Sequence, residues 1–596
     1  MNGAEDKVWE GDARRGRRRW GGTPAQAVCL AGAAWAAVVF LMYFDQNEAQ
    51  LGVDGLWLLS LLLWIAAVYL QPSSSSCGVV LRAADLRPLA LILPLFAVCW
   101  LPFYDNWRWA YTGDSLGIFA SGYWLGVKGP RQSLLSVHGI DNFYTYLWEV
   151  SYNWPMYVFA PTLFWHRVGQ LIMACLALTA IYAFFCIILG RLWAVAIVLA
   201  TVTNYVWIWI SYISYLRTDS FVFYYLTLIW AVLLWRTPES LVVWALCGLT
   251  GGLSLFYTPV TWGAVAAVAI VFGLRAVVRR SFGGPVVYAI SFLLAASPIL
   301  TDLPWMVGML RTQSFAPGAD PRSPWPEPSY VWLMARTILL SAYDSPIYIL
   351  GVNGAFLRWP LGHLYFVGGA LAALGSVSSL RRRLRLPPAA PLLLILFLWD
   401  VLLFSLTNKG YPTPSHKRFY NLIPLQIFFA LLPLYVAHAW CAKRPRLGAF
   451  VIVLLAGSIA TSAALGLRLI RNPRPIMYGQ NIFDGLIEMH QRFPDRDVVL
   501  FTTRQDESLY RGRSMDEVYG MAERLSLAAE ANEQTLEETC WSGALFCYDL
   551  APVQDQAEPL LKQDGRWLPF PLLNTDEIRC YDCTAECTDT PDGPAQ

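Results

Sequence analysis

The chain has 596 residues, of which 56% are hydrophobic and only 14% are charged, and its formal net charge is +2. So few charged side chains do not suffice for the surface of a soluble protein of this size, and no nucleic-acid partner is expected. The composition instead predicts a protein embedded in a lipid bilayer.

Thirteen apolar runs are long enough to be transmembrane helices, because a hydrocarbon core about 30 Å thick requires roughly 20 apolar residues per helix. The first run is too long for a cleavable signal peptide and lacks a small-residue cleavage site. The runs lie near residues 27–44, 55–71, 88–104, 167–190, 192–213, 219–235, 240–257, 259–275, 285–303, 360–379, 388–406, 420–441 and 447–468.

Basic residues concentrate in alternate loops, as the positive-inside rule requires of one consistent topology. This pattern predicts an integral, multi-pass membrane protein with a cytoplasmic N-terminus and an extracytoplasmic C-terminus. The clusters are Arg14 to Arg19, Arg82 and Arg87, Arg191, Arg236, Arg275 to Arg280, Arg381 to Arg385, and Lys443 to Arg446.

Four regions result from this pattern: a basic N-terminus (1–26), two extra spans (27–87), a transmembrane core (88–468) with outer loops at 104–166 and 304–359, and a tail (469–596). From residue 476 onward, 23 acidic residues face 9 basic ones, a net charge of −14, while the rest of the chain carries +16. The predicted fold is therefore an α-helical polytopic membrane protein with a small extracytoplasmic α/β domain.

In the tail, apolar spacing predicts a helix from Ile482 to Phe493, a buried strand from Asp497 to Thr502, and a helix from Ser514 to Ala531. The tail also carries five cysteines: Cys540, Cys547, Cys580, Cys583 and Cys587. On an oxidising face, disulfides are favoured over a metal knuckle. We expect one bridge between Cys540 and Cys547 and one within the final cluster.

The first outer loop carries two carboxylates near the membrane boundary, Asp105 and Asp114, among aromatic residues. A carboxylate placed there is a candidate general base or metal ligand facing a lipid-borne substrate. Asp114 also precedes a run with helical spacing, and on spacing alone an N-cap is the favoured interpretation.

Further polar residues lie near the same boundary. Arg217 and Asp219 occupy a very short turn between two spans, which suggests a fixed ion pair or a phosphate site. His416, Lys417 and Arg418 lie on the outer side against the charge trend, so they are candidates for binding a lipid-linked phosphate. The alternative for each is an interfacial anchor whose charged end reaches the headgroups.

Several segments, in this order, resemble the GT-C-fold glycosyltransferases of the protein mannosyltransferase-like group, family 39 and its bacterial relatives. They are Gly113-Asp114-Ser115, Tyr152-Asn153-Trp154-Pro155, Ile181-Tyr182 through Arg191, Leu216-Arg217-Thr218-Asp219, Leu249 to Ser254 with Tyr257-Thr258-Pro259, and His416-Lys417-Arg418-Phe419-Tyr420-Asn421-Leu422-Ile423-Pro424. Ser115 stands where the family often has a second acid, which argues against a two-carboxylate metal site unless Asp105 takes its place.

The resemblance implies an inverting glycosyltransferase that takes a sugar from a polyprenyl-phosphate donor. The acceptor would be a glycan, lipid or protein on the extracytoplasmic face. The implied roles are Asp114, or Asp105, as general base, and Arg217, Lys417 and Arg418 as ligands of the donor phosphate. Asp219, His416 and Tyr420 would support them. No cofactor is required, although a divalent metal remains an alternative.

Two other function classes fit the same spans: a transporter of lipid-linked glycans, and a non-catalytic scaffold in an envelope-assembly complex. Transporters usually show broken spans and internal repeats, with polar residues near the midplane. This chain shows no repeat, its intramembrane charge is sparse, with Asp400 the clearest case, and most of its polar candidates lie at the outer boundary. The position of these polar residues at the outer boundary favours an enzyme over a transporter.

Overall fold

A computed structural model defines the fold. The residues that it describes are 23–45, 48, 50–71, 81–100, 122, 125–126, 129–130, 132–137, 145–160, 163–204, 207, 218–257, 261–302, 304, 331–332, 335–336, 338–339, 364–407, 420–441, 444–471, 486, 488–489, 492–501, 525–528, 542, 544–549, 573–574 and 578–582.

The described residues up to 471 are mainly helical. The helices are α1 (Pro24–Tyr43), α2 (Leu51–Tyr69), α3 (Ala83–Leu86), α4 (Leu89–Trp100), α5 (Tyr146–Val158), α6 (Leu163–Leu189), α7 (Arg191–Val202), α8 (Thr218–Arg236), α9 (Leu241–Ser254), α10 (Trp262–Arg279), α11 (Gly283–Leu300), α12 (Leu364–Leu374), α13 (Ser378–Leu384), α14 (Ala390–Thr407), α15 (Ile423–Trp440) and α16 (Pro445–Arg471). A 3₁₀ turn, Tyr420–Leu422, immediately precedes α15.

Each of the thirteen predicted spans contains a helix in the structure; α3 and α5 lie outside them, and α13 overlaps the end of one by two residues. In the described part of the chain, seven helices are long and apolar enough to cross a membrane: α1, α2, α6, α8, α10, α11 and α15. Shorter apolar helices lie in α7, α9, α12, α14 and α16. The prediction of an α-helical polytopic membrane protein is therefore confirmed.

Arginines join neighbouring helices at one end of the bundle, which we call the basic end. Arg236 donates to the carbonyl of Ile187 at 3.1 Å, and Arg275 to the carbonyl of Trp235 at 3.4 Å. Arg385 likewise donates to the carbonyl of Ala439. The basic loops of distant sequence segments thus share one end of the fold, as one consistent topology requires.

An ion pair ties α3 to α7 at the basic end. The Arg191 guanidinium lies 2.6 Å from Asp85, and the Arg82 backbone N–H also donates to that carboxylate. The backbone N–H and then Arg191 lower the pKa of Asp85 below its usual range. Because Arg191 is exposed and Asp85 is only half-buried, the pair orients α3 more than it stabilises the bundle.

Two glycines allow helices to approach each other closely within the bundle. A Cβ at Gly169 in α6 would overlap the carbonyl oxygen of Tyr152 in α5. A Cβ at Gly368 in α12 would overlap the carbonyl oxygen of Phe429 in α15. Small residues serve this purpose in membranes, where lipid gives little hydrophobic drive for association and close van der Waals packing stabilises helix contacts.

The tail contains a five-stranded sheet of order β2-β1-β3-β5-β4. Its strands are β1 (Val498–Phe501), β2 (Leu525–Ala528), β3 (Leu545–Asp549), β4 (Leu573–Asn574) and β5 (Ile578–Tyr581). Strand β1 runs parallel to β2 and β3, whereas β5 runs antiparallel to β3 and β4. The predicted strand at Asp497 to Thr502 corresponds to β1.

Two predictions for the tail were wrong. The helix expected from Ser514 to Ala531 is a strand at Leu525–Ala528, where the Leu-Ser-Leu alternation has the period of a strand and β1 offers a parallel partner. The bridge expected between Cys540 and Cys547 is instead a disulfide between Cys547 and Cys580. These two cysteines are directly opposite each other in the β3–β5 pair, a proximity that sequence spacing does not reveal.

Candidate functional site

The structure describes two of the predicted site residues. Asp219 lies in the first turn of α8, and the backbone of Tyr420 belongs to the 3₁₀ turn before α15. The remaining predicted residues lie outside the described part of the chain: Asp105, Asp114, Arg217, His416, Lys417 and Arg418. The side chains around the described ends of those segments form the candidate site.

Asp219 is fully buried and is joined to the helix of the first outer loop. Its Oδ1 accepts a hydrogen bond from the Tyr152 hydroxyl at 2.6 Å, and its backbone N–H donates to the same hydroxyl oxygen at 3.0 Å. The Thr218 hydroxyl lies 3.3 Å from that oxygen. A carboxylate in a first helical turn is favoured by the free N–H groups and by the helix dipole. The contact joins α5 firmly to the start of α8.

Tyr152 is held in place from several sides. Thr145 caps α5 and also donates to the carbonyl of Phe256 at 2.6 Å, which joins α5 to the segment that follows α9. Trp148 packs edge-on against Tyr152, with ring centroids 5.4 Å apart. Burial raises the pKa of Tyr152 well above its ordinary value, and the neighbouring Asp219 raises it further. Tyr152 is therefore a neutral hydrogen-bond donor and not a candidate base.

A second contact brings the segment after α9 onto α8. The ring of Tyr257 packs against Phe223, with centroids 4.3 Å apart. Phe223 lies one helical turn beyond Asp219. The segment Tyr257-Thr258-Pro259, singled out in the sequence, thus begins beside the first turns of α8. Thr258 and Pro259 lie outside the described residues.

Deeper in the bundle, Tyr224 of α8 donates a hydrogen bond to Asp400 Oδ2 at 2.6 Å. Asp400 is 1% exposed and belongs to α14. Its other oxygen, Oδ1, lies against the first turn of α10, where a Cβ at Gly263 would come within 2.8 Å of it. Glycine at this position lets the α10 backbone pack beside the carboxyl group, so Asp400 joins three helices.

The neighbouring residue of α8, Tyr225, reaches the 3₁₀ turn before α15. Its hydroxyl donates to the backbone carbonyl of Asn421 at 3.1 Å. Asn421 is fully buried and follows Arg418 by three residues. The segment that carries the predicted phosphate ligands therefore ends against α8 as well.

A buried polar chain between α5 and α6 was missed by sequence reasoning. Arg167 donates to Gln170 Oε1 at 3.0 Å, Gln170 Nε2 lies 2.9 Å from His166 Nε2, and His166 Nδ1 lies 2.7 Å from Asn153 Oδ1. Because arginine only donates, the chain has one direction from Arg167 to Asn153 and fits a neutral His166 with its proton on Nδ1. The spacing of residues 166, 167 and 170 at the start of an apolar run was the available signal.

The first outer loop is also fastened to α2. Asp54, in the first turn of α2, accepts hydrogen bonds from the Ser133 hydroxyl at 2.5 Å and from the Leu134 backbone N–H at 3.0 Å. Leu135 packs into an apolar cluster with Trp57 of α2 and Ile299 of α11. The loop is thus held at two separated points on the end of the bundle opposite the basic end.

Among the residues that the structure describes, no group of three or more His, Cys, Asp or Glu side chains is placed to hold a metal ion. Asp219 and Asp400 are each hydrogen-bonded to a tyrosine of a neighbouring element. These two carboxyl groups are thus held in place at the site by hydrogen bonds.

Proteins similar to this chain are found among solved structures. No family model matches the chain, and no curated protein matches its sequence. The chain is similar to the crystal structure of ArnT from Cupriavidus metallidurans bound to undecaprenyl phosphate, at 13% identity and a TM-score of 0.46. The similarity covers 86% of this chain and 100% of that one. It does not assign this chain to a family.

Proposed function

We propose that the protein is a membrane glycosyltransferase, which moves a sugar from a polyprenyl-phosphate donor to a glycan, lipid or protein acceptor. The reaction takes place at the end of the bundle where α8 begins, and this end faces the extracytoplasmic side. The donor's prenyl chain lies in the bilayer, and its phosphate lies at the membrane boundary.

The observation that carries this proposal is the convergence of separate motif segments on the first two turns of α8. Tyr152 of the outer loop bonds Asp219, Tyr257 packs on Phe223, and Asn421 accepts a hydrogen bond from Tyr225. These segments come from widely separated parts of the chain and were selected by their resemblance to a glycosyltransferase pattern. Their contact supports one shared site.

The assigned chemistry is a direct displacement at the anomeric carbon. Asp114, or Asp105 in its place, removes the acceptor's proton as its oxygen attacks and the bond to the donor phosphate breaks, with inversion. Arg217, Lys417 and Arg418 neutralise the departing phosphate, so that no metal is required. Asp219 is a positioning residue: its bond to Tyr152 holds the outer loop against the turn that carries Arg217.

The test is transfer by the purified protein in liposomes, supplied with polyprenyl-phosphate sugars and candidate acceptors. Asp114→Asn should lower the transfer rate by about two to four orders of magnitude and leave donor binding nearly unchanged. The matched control is Asp302→Asn, just after α11 at the same end of the bundle, which should retain activity. An N-cap role for Asp114 predicts near-normal transfer, because asparagine also caps well.

Phosphate binding is tested separately. Arg217→Ala should weaken donor binding by about tenfold or more, because a charge-assisted bond contributes roughly 1.5–3 kcal/mol. Arg279→Ala, exposed at the basic end, is the control and should bind normally. Full transfer by Asp114→Asn would move the base to Asp105, and full transfer by both variants would rule out this loop as the catalytic site. Movement of intact donor across the bilayer without transfer would favour a transporter.

A further inference from the structure

Two buried polar side chains, Asp400 and Asn421, lie within predicted spans and have no assigned chemical role. They are 1% and 0% exposed. The Asp400 carboxyl accepts a hydrogen bond from Tyr224 of α8, and the Asn421 backbone carbonyl accepts one from the adjacent Tyr225. At 1.5 Å per helical residue, these tyrosines lie about 10 Å below the start of α8. Asp400 and Asn421, which are bonded to these tyrosines, are therefore close beneath the site proposed for the donor phosphate.

Both side chains keep hydrogen-bonding capacity that the described protein does not use. Asp400 Oδ1 and both side-chain atoms of Asn421, Oδ1 and Nδ2, are buried and have no hydrogen-bond partner among the described residues. Buried polar atoms nearly always have partners, and lipid provides none. Two such side chains, on segments that each accept a hydrogen bond from a neighbouring tyrosine of α8, point to a ligand that supplies the missing bonds.

The chemistry of these atoms restricts the ligand. A carboxylate oxygen accepts hydrogen bonds, and a primary amide both donates and accepts. Adjacent hydroxyl groups can satisfy both, whereas a fully ionised phosphate has no hydrogen to donate to Asp400 Oδ1. The described residues place no cluster of three potential metal ligands here. A neutral, hydroxyl-bearing ring fits best.

We propose that Asp400 and Asn421 bind the hydroxyl groups of the donor's sugar ring. This inference rests on the proposed function and deepens it by locating the sugar. Lys417 and Arg418 precede Asn421 by four and three residues, so the segment would present cations for the phosphate and then an amide for the ring. Gly263 contributes by leaving Asp400 Oδ1 free of a neighbouring Cβ.

The experiment compares the binding of farnesyl phosphate with that of its mannosyl, glucosyl and arabinosyl esters to the full-length protein in nanodiscs. The wild type should bind at least one ester more tightly than farnesyl phosphate. Asp400→Asn, which keeps an acceptor for Tyr224, should reduce that preference by about tenfold, because an amide NH₂ group replaces the Oδ1 acceptor and one hydrogen bond to the ring is lost. Asn421→Leu should reduce it as well. Neither variant should change the affinity for farnesyl phosphate itself.

Ser405→Ala is the control, because Ser405 is also buried in α14 but bonds only the carbonyl of Val401 in its own helix. It should retain the wild-type preference, and thermal unfolding identifies any variant that fails to fold. Unchanged preference in folded Asp400→Asn and Asn421→Leu would overturn the sugar subsite and leave the proposed function standing. Absence of farnesyl phosphate binding by the wild type would overturn the proposed function, and the subsite with it.

Discussion

Tyr152→Phe removes one hydroxyl that makes two buried hydrogen bonds to Asp219. A hydrogen bond to a charged group contributes about 1.5–3 kcal/mol, and an unsatisfied buried N–H costs roughly 1–3 kcal/mol. Because both bonds use the same oxygen, their contributions do not simply add. We expect the free energy of unfolding to fall by about 2–4 kcal/mol. Donor transfer should fall too, because α5 is no longer fastened to the turn that carries Arg217.

The assay is equilibrium unfolding in mixed detergent micelles, followed by helicity and by tryptophan fluorescence. Tyr157→Phe is the matched control: Tyr157 lies on the same helix but is 48% exposed, so its substitution should change stability by no more than about 0.5 kcal/mol. Equal stability of the two variants would refute the reasoning that the Tyr152–Asp219 contact fastens the outer loop to α8.

Three further predictions concern the rest of the fold. A tag inserted after residue 384 should be protected from protease when a tag at the C-terminus is digested, because the basic loops alternate through thirteen spans; equal protection of both would contradict the topology. Thiol labelling of the unfolded, non-reduced protein should leave Cys547 and Cys580 unmodified until a reductant is added, and modification of either without reductant would argue against the bridge. Gly368→Ala should destabilise the bundle by about 1–3 kcal/mol or more because its Cβ overlaps the Phe429 carbonyl, whereas Gly369→Ala, with no neighbour within 4 Å, should be nearly neutral in the same unfolding assay.

The transmembrane architecture could be predicted because lipid leaves few alternatives. A span must be helical to satisfy its own backbone, and its length is set by the bilayer, so apolar runs translate directly into helices. The helix ends were less predictable. Within the run expected from 259, the described helix α10 starts at Trp262, and the Gly263 carbonyl accepts a hydrogen bond from Trp399 of α14.

The tail was harder because its elements are short. Leu525 to Ala528 has too few residues for its period to be distinguished from that of a helix, and pairing with β1 decides its conformation. The disulfide, too, depends on strand pairing that the sequence does not reveal. Cys547 bonds Cys580 because the β3–β5 register places them opposite each other, whereas sequence distance favoured Cys540.

For the candidate site, the sequence marked Asp219 and the segment around Tyr152 but gave no sign that they touch. Their contact depends on the packing of α5 against α6, which Gly169 permits. The chain from Arg167 to Asn153 was missed for a similar reason, since its members are polar residues of two helices that meet only in the folded protein. Single-sequence patterns locate polar groups, but tertiary packing decides which of them share a network.

The arginines of the basic end have a consequence for how the protein reaches its membrane orientation. Positive charge retains a loop on the cytoplasmic side during insertion. Arg236, Arg275 and Arg385 then cap carbonyl groups of neighbouring helix ends in the finished bundle. A hairpin inserted upside down would carry these donors to the wrong leaflet and leave the carbonyls uncapped. Under the predicted topology, the arginines that direct insertion are therefore also the ones that stabilise only the correctly inserted bundle.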